Sequence, residues 1–221
     1  MVSANSTWKE AIHCNDPYTN FPIAKYTPDL RGWGSQSPIF DAVISQIRPS
    51  HVVEIGSWKG ASAIQMADLM AKYGCSGEIV CVDTWLGGPE VWLNQADPNL
   101  SVPFEFGRPL IYDQFLANVI HSGHTRTIVP FPVDSITGAK VLQAKGLHPE
   151  AIYIDAGHEY EHVSADLNAW WNVLRPGGIM FGDDYHLRWI GVVRAVHNFA
   201  DTLGLAVNTA FPDKWLIRKS D

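Results

Sequence analysis

The run His51-Val52-Val53-Glu54-Ile55-Gly56-Ser57-Trp58-Lys59-Gly60-Ala61-Ser62 constrains the fold more than any other part of this chain. A short β-branched stretch ends in an acid, breaks at a glycine, passes through a polar turn and re-enters helix-forming sequence at Gly60. That pattern predicts a buried strand, a tight turn and a helix N-terminus, which together present backbone N–H groups to a polar small molecule.

The sequence around it reads as alternating strands and helices. Pro38 opens a helix with Phe40, Val43, Ile44 and Ile47 at helical spacing, and Pro49 stops it. After the strand at 51–55 come a helix to Tyr73, a strand at 78–82 leading to Asp83, and a helix near 110–120. A strand at 127–132 precedes Asp134-Ser135, which caps a helix ending near Gly146. Strands at 151–154 and 179–181 flank a helix at 160–174; a helix at 190–203 and short strands at 205–209 and 214–217 complete the chain. The expected fold is α/β: a mostly parallel seven-stranded sheet, helices on both faces, and an antiparallel C-terminal hairpin around Pro212-Asp213. Residues 1–37, punctuated by Pro and Gly but carrying Trp8, Tyr18, Phe21, Tyr26 and Trp33, are expected to form an N-terminal arm or lid on a domain spanning 38–221. At 221 residues the chain has room for one sizeable core and not comfortably for two.

Composition excludes several classes of function. A net charge of −7 with no basic run gives no electrostatic footing for nucleic acid or an anionic membrane. No apolar run is long enough to span a bilayer, and no apolar stretch follows the polar start, so neither a membrane anchor nor a secretory signal is expected. Cys14, Cys75 and Cys81 are odd in number and form no C-x-x-C, which argues against a disulfide scaffold or a zinc ribbon and for a reducing, cytoplasmic setting.

In parallel α/β sheets ligands bind at the carboxyl ends of the strands. Glu54, Asp83, Asp134, Asp155 and the pair Asp183-Asp184 all lie at or just past predicted strand ends. The first turn lacks the G-x-G-x-x-G of dinucleotide sites, and Glu54 ahead of Gly56 disfavours a pyrophosphate while suiting a ligand with an amino group. Asp83 is placed to accept the hydroxyls of a ribose. Asp134-Ser135 is placed either to bond an adenine edge or simply to cap its helix. Carboxylates as crowded as Asp155, Asp183 and Asp184 call for a cation, and hard oxygen donors suit Mg²⁺. His158, three residues after Asp155, is the candidate general base; His186 is its rival.

Glu54-Ile55-Gly56-Ser57-Trp58-Lys59-Gly60-Ala61-Ser62 resembles the first motif of class I S-adenosylmethionine-dependent methyltransferases, in particular the catechol O-methyltransferase-like group. Asp155-Ala156-Gly157-His158-Glu159-Tyr160, Leu174-Arg175-Pro176-Gly177-Gly178 and Gly182-Asp183-Asp184-Tyr185 resemble the related metal-dependent natural-product O-methyltransferases, including those that act on macrolide sugars. The resemblance runs from about Ser37 to Asp221. It implies a Rossmann-like methyltransferase fold in which Glu54, Gly56, Ser57, Trp58 and Ser62 line the methionine end of S-adenosylmethionine. By the same resemblance Asp83 binds ribose, Asp134 and Ser135 bind adenine, and Asp155, Asp183 and Asp184 hold Mg²⁺. His158 falls where the catechol enzymes place a basic lysine, and Asp184 stands where they usually have Asn, which turns the reading from a catechol toward a sugar hydroxyl. The implied reaction is Mg²⁺-dependent methyl transfer to a hydroxyl of a small molecule, a natural-product sugar or phenol, with His158 and Asp155 at the chemistry. A nicotinamide-dependent oxidoreductase and a non-catalytic S-adenosylmethionine-binding protein are the competing readings. The loop from about Thr84 to Pro109, with Trp85, Trp92, Phe104, Phe106 and Arg108, is expected to wall an acceptor pocket or to pack on the domain. The aromatic arm leaves a homodimer open.

Overall fold

The computed structural model describes residues 7–94 and 96–221. In chain order the elements are α1 (Trp8–Ile12), α2 (Pro38–Ile47), β1 (His51–Ile55), α3 (Ala61–Lys72), β2 (Glu78–Asp83), α4 (Pro89–Leu93), β3 (Phe104–Glu105), β4 (Arg108–Pro109), α5 (Ile111–Ser122), β5 (Ile128–Pro132), α6 (Ser135–Lys145), β6 (Ala151–Ile154), α7 (Tyr160–Val173), β7 (Ile179–Gly182), α8 (Ile190–Leu203) and β8 (Trp215–Arg218). The main sheet runs β5-β2-β1-β6-β7-β8. Every pairing in it is parallel except β7 with β8.

Strand alternation divides the core in two. Val53, Ile55, Val80, Val82, Ile152 and Ile154 face the helices α6, α7 and α8. Val52, Ile79, Cys81, Tyr153 and Phe181 face α2, α3 and α5. Glu54 falls in register with Cys81 on one side and Tyr153 on the other, so the period of two carries an acid into the second layer beside a thiol and a phenol. Because β1 is the central point from which the chain winds both ways, its carboxyl end faces the crevice where such sheets bind ligands.

Three features differ from the sequence expectation. Among the described residues the sheet has six strands rather than seven: residues 205–209 contribute only a bridge from Asn208 to Leu216. The Ala210 N–H is taken by Asn208 Oδ1 at 2.9 Å, a local turn that leads the chain away from a longer ladder. The arm is more ordered than its Pro and Gly content implied. Thr7 and Glu10 form a capping box that starts α1, and Glu78, at the start of β2, accepts the N–H groups of Trp8 (2.6 Å) and Lys9 (3.1 Å). Trp8 then stacks on His51 with ring centroids 4.1 Å apart. The 84–109 loop is not structureless either: it contains α4 and the antiparallel pair β3–β4. Among the described residues no helix is long and apolar enough to cross a membrane.

Candidate active site at the carboxyl edge of the sheet

Glu54 is completely buried. Ser62, in the first turn of α3, donates its hydroxyl to Glu54 Oε1 at 2.5 Å, and Cys81 Sγ lies 3.5 Å from Oε2. Burial pushes the Glu54 pKa up to about 7, against the pull of the Ser57 and Ser62 hydroxyls and the Cys81 thiol. The chain then turns at Gly56, whose φ of +82° is open to glycine and costly for any L-residue. Glycine is required for a second reason: a Cβ there would lie 2.0 Å from the Asp155 carbonyl oxygen. The turn thus packs directly against the end of β6.

Asp83, at the end of β2, holds that turn. Its Oδ2 accepts the backbone N–H groups of Ser57 (2.9 Å) and Trp58 (3.0 Å), and Oδ1 accepts that of Trp85 (2.7 Å). Burial raises its pKa while these three donors oppose the rise. The Ser57 hydroxyl is buried and, among the described residues, makes no hydrogen bond of good geometry, although it sits near enough to Glu54 to help hold that carboxyl's pKa down. The N–H groups of Gly56, Ser57, Trp58 and Gly60 are all taken within the fold, by the Val82 carbonyl, Asp83, Asp83 and the Ser57 carbonyl, so the turn does not present these donors to a ligand as the sequence pattern suggests. What it offers is a glycine bend between the ends of β1 and β2 with an acid at each. Asp134 is exposed and caps α6, accepting from Thr137 N (2.9 Å) and Thr137 Oγ1 (2.6 Å). Ser135 donates to Asp166 (2.5 Å) and accepts from Trp170 Nε1 (2.8 Å), so its hydroxyl is engaged within the fold.

At the far side of the edge, Asp155 and Asp183 extend the neighbouring strands β6 and β7. Their N–H groups continue the ladder to Ile55 and Ile154. Tyr153 Oη lies 3.2 Å from Asp155 Oδ2 and 3.3 Å from Asp183 Oδ2. Burial, then the charges of Asp183 and Asp184, raise the Asp155 pKa well above the usual carboxylate range. Asp184 Oδ2 lies 2.9 Å from His158 Nε2, and the imidazole stacks on Trp189 at 4.0 Å. That hydrogen bond raises the His158 pKa. His186 instead sits exposed and accepts the Arg188 N–H (3.0 Å), outside the cluster.

Lys214, immediately before β8, is a member of this cluster that the sequence did not reveal. Its ammonium is buried and ion-paired with Asp183. It comes from the opposite end of the C-terminal hairpin region, 31 positions after Asp183, and no local pattern marks it. The donors Asp155, Asp183 and Asp184 are hard oxygens of the kind Mg²⁺ takes, and together with Lys214 they leave two negative charges when all are ionised. Yet among the described residues no three His, Cys, Asp or Glu side chains are grouped so as to hold a metal ion. Asp183 is turned to Lys214 and Asp184 to His158.

The arm crosses this edge. Asn118 of α5 accepts from Asp29 N (2.9 Å) and donates to the carbonyls of Asp29 (2.7 Å) and Lys59 (2.8 Å). Asp29 pairs with the buried Lys59 at 2.9 Å, and Arg31 and Lys59 hold its carboxyl far below the ordinary range. Trp58 Nε1 donates to the Arg31 carbonyl (3.0 Å), and Gly34 reaches the acid cluster, where its carbonyl accepts from Lys214 (3.3 Å). A cavity of about 510 Å³ opens beside Lys59, lined by Thr27–Arg31 of the arm, Ser101–Pro103, Leu110 and Gln114. The loop aromatics do not line it. Trp85 is buried on Tyr112 and Phe115, Trp92 and Phe104 pack edge to face, and Phe106 is almost fully exposed.

A family profile described as a methyltransferase domain matches residues 53–185, from within β1 to just past the Asp183-Asp184 pair. Among solved structures, the calicheamicin methyltransferase CalS11 superposes with a TM-score of 0.61 at 21% identity, over 83% of this chain and 78% of that one. TomG, an O-methyltransferase of Streptomyces achromogenes solved with S-adenosylmethionine, gives 0.60 at 13% identity over 88% and 83%. An O-methyltransferase from Bacillus cereus solved with S-adenosylhomocysteine gives 0.57 at 13% over 90% and 87%. A search of curated protein sequences returned no match. The likeness to these structures establishes the shared fold, and the match over the glycine turn and the strand-end acids establishes the family: the chain belongs to the methyltransferase-domain family.

Proposed function

We propose that this methyltransferase transfers the methyl group of S-adenosylmethionine to a hydroxyl of a small molecule, a natural-product sugar or a phenol. One observation carries the reading: the Gly56 turn, which packs on the Asp155 carbonyl, and the Asp155–Asp183–Asp184–His158 cluster meet at one sheet edge. The similar structures support it. Those of TomG and the Bacillus protein are of O-methyltransferases, and a CalS11 structure is described as a TDP-rhamnose 3'-O-methyltransferase.

In this reading Gly56, Ser57, Trp58 and Ser62 surround the methionine end of the cofactor, with Glu54 beneath them as the charge toward its amino group. Asp83 serves the ribose, and Asp134 and Ser135 the adenine end. Asp155, Asp183 and Asp184 would hold Mg²⁺. When bound, S-adenosylmethionine supplies the electrophilic methyl group and the divalent cation acidifies the acceptor hydroxyl. His158 takes the hydroxyl proton. An ionised Asp184 can only accept at Oδ2, so Nε2 carries the hydrogen of that bond and Nδ1 is left as the basic atom. Trp189 fixes the ring plane. The three free cysteines support a cytoplasmic setting.

Calorimetry with S-adenosylmethionine and S-adenosylhomocysteine tests the cofactor: micromolar binding of at least one is expected, and binding of neither overturns the reading. Transfer of labelled methyl to a panel of sugar and phenol acceptors, with and without EDTA, then tests the acceptor class and the metal.

A further inference from the structure

Lys214 is a fully engaged internal cation. Its side chain is 3% exposed. Besides the ion pair with Asp183, its Nζ donates to Tyr153 Oη and to the Gly34 carbonyl, each at 3.3 Å. An ammonium has three hydrogens, and these three acceptors account for all of them. The Nζ also lies over the faces of Phe40 and Tyr153, 5.9 and 5.7 Å from the ring centroids. With two neutral acceptors and two ring faces around it, the ammonium is held at Asp183 by more than the ion pair itself. The Gly34 contact closes the cage. Gly34 has a φ of +63°, and a Cβ there would fall 2.2 Å from Asp183 Oδ2 and 3.1 Å from Lys214 Nζ.

We infer that Lys214 is a built-in competitor for the divalent cation: its ammonium occupies Asp183 and so sets how tightly the acid cluster takes a metal. The inference rests on the reading of Asp155, Asp183 and Asp184 as cation ligands. The chemistry is charge against charge. A divalent ion drawn to Asp155 and Asp184 meets the fixed positive charge of Lys214 on the third carboxylate, in an interior where screening is weak. Asp183 Oδ2 faces the ammonium and Oδ1 accepts the Asp184 N–H at 2.7 Å, so an ion drawn to Asp183 meets a carboxylate with both oxygens already engaged, and the ammonium cannot follow a turning Asp183 without leaving Tyr153 and Gly34. Lys214 therefore acts as a positioning residue, through Asp183.

The experiment is Mn²⁺ titration followed by electron paramagnetic resonance, on the wild-type chain and on Lys214→Met and Lys214→Arg, without cofactor or acceptor. Lys214→Met is expected to bind Mn²⁺ tighter than wild type by about tenfold or more, from the loss of one positive charge within contact of a ligand. Lys214→Arg, which keeps the charge, is expected to stay within about threefold of wild type. In parallel, Mg²⁺ is expected to raise the melting temperature of Lys214→Met by more than that of wild type, since the ion binds only the folded form. Should Lys214→Met fail to fold, Lys214→Gln keeps a hydrogen-bonding side chain without the charge and serves the same comparison. Equal or weaker Mn²⁺ binding in the folded neutral variant overturns the inference, as does absence of binding in every variant. Because the titration needs no S-adenosylmethionine, its failure leaves the cofactor calorimetry intact, and failure of that calorimetry leaves the cation result intact.

Discussion

The two halves of the carboxyl edge are built by different means. On the glycine-turn half, the two acids are held by backbone N–H groups or by side chains of the adjoining helix and strand. Asp83 is fixed by three N–H groups, and Glu54 by a serine eight residues on and a thiol in register. On the acid-cluster half, the groups are fixed by side-chain charges from distant segments: Asp183 by Lys214, Asp184 by His158, and the arm by the Gly34 carbonyl. In the proposed reading the first half is a receptor whose acids are held in place by the fold. The second is a balance of ionic pairs, in which each partner has another partner it could take. Geometry fixed by backbone suits binding a constant group, and geometry fixed by exchangeable charges suits chemistry.

Perturbing each half in turn sharpens that contrast. The largest effect is expected at the joint between them. Gly56→Ala forces a side chain into a positive-φ position and against the Asp155 carbonyl, and is expected to cost about 4 kcal/mol in denaturant unfolding. A loss under 1 kcal/mol would show the turn to be softer than a backbone-held receptor. Next comes Glu54. Its pKa is about 7 in the fold against 4.5 for an ordinary glutamate, so between those values the folded chain holds a proton that the unfolded chain has lost. Stability from this group is therefore full below about pH 4.5 and falls as pH rises to 7, by about 3 kcal/mol. Denaturant midpoints across pH 5–8 should show this slope in wild type and its reduction in Glu54→Gln. Cofactor affinity should move the other way, tightening as Glu54 ionises toward pH 8.

On the charge-held half, His158→Gln is expected to slow methyl transfer about a hundredfold while cofactor affinity stays within about threefold. Since Asp184 is what raises the His158 pKa, Asp184→Asn should move the acidic limb of the rate–pH profile to lower pH. An unmoved limb would assign the base elsewhere. The smallest effect is at Asp134. Asp134→Ala should cost about 1 kcal/mol as a lost helix cap, and Asp134→Asn should restore it. A drop in cofactor affinity in the Ala variant beyond threefold would mark the adenine contact.

What the amino-acid order determined by itself follows the same division. The β-branched run to Ile55, the glycine turn and the acids at strand ends are local patterns, and they specified the parallel sheet and the edge at which its acids gather. Placing Glu54 near a strand end does not show that it is fully buried or that Cys81 and Ser62 receive it; both depend on the layer that α3 and β2 build around it. The arm was harder to read, because α1 depends on Glu78, some seventy residues away, for its N-terminal donors. The seventh strand was misjudged because one Asx turn at Asn208 outweighs β propensity over a short edge segment. The loop aromatics leave two readings open along the chain, pocket wall or packing on the domain; an aromatic's destination is set by which hydrophobic layer it meets, and Trp85 met α5. Only the tertiary structure brought Lys214 to Asp183 and ran the arm from Lys59 to the acid cluster. Backbone pattern is written along the chain, whereas pairing of charges across the fold depends on distances that exist only once the sheet has formed.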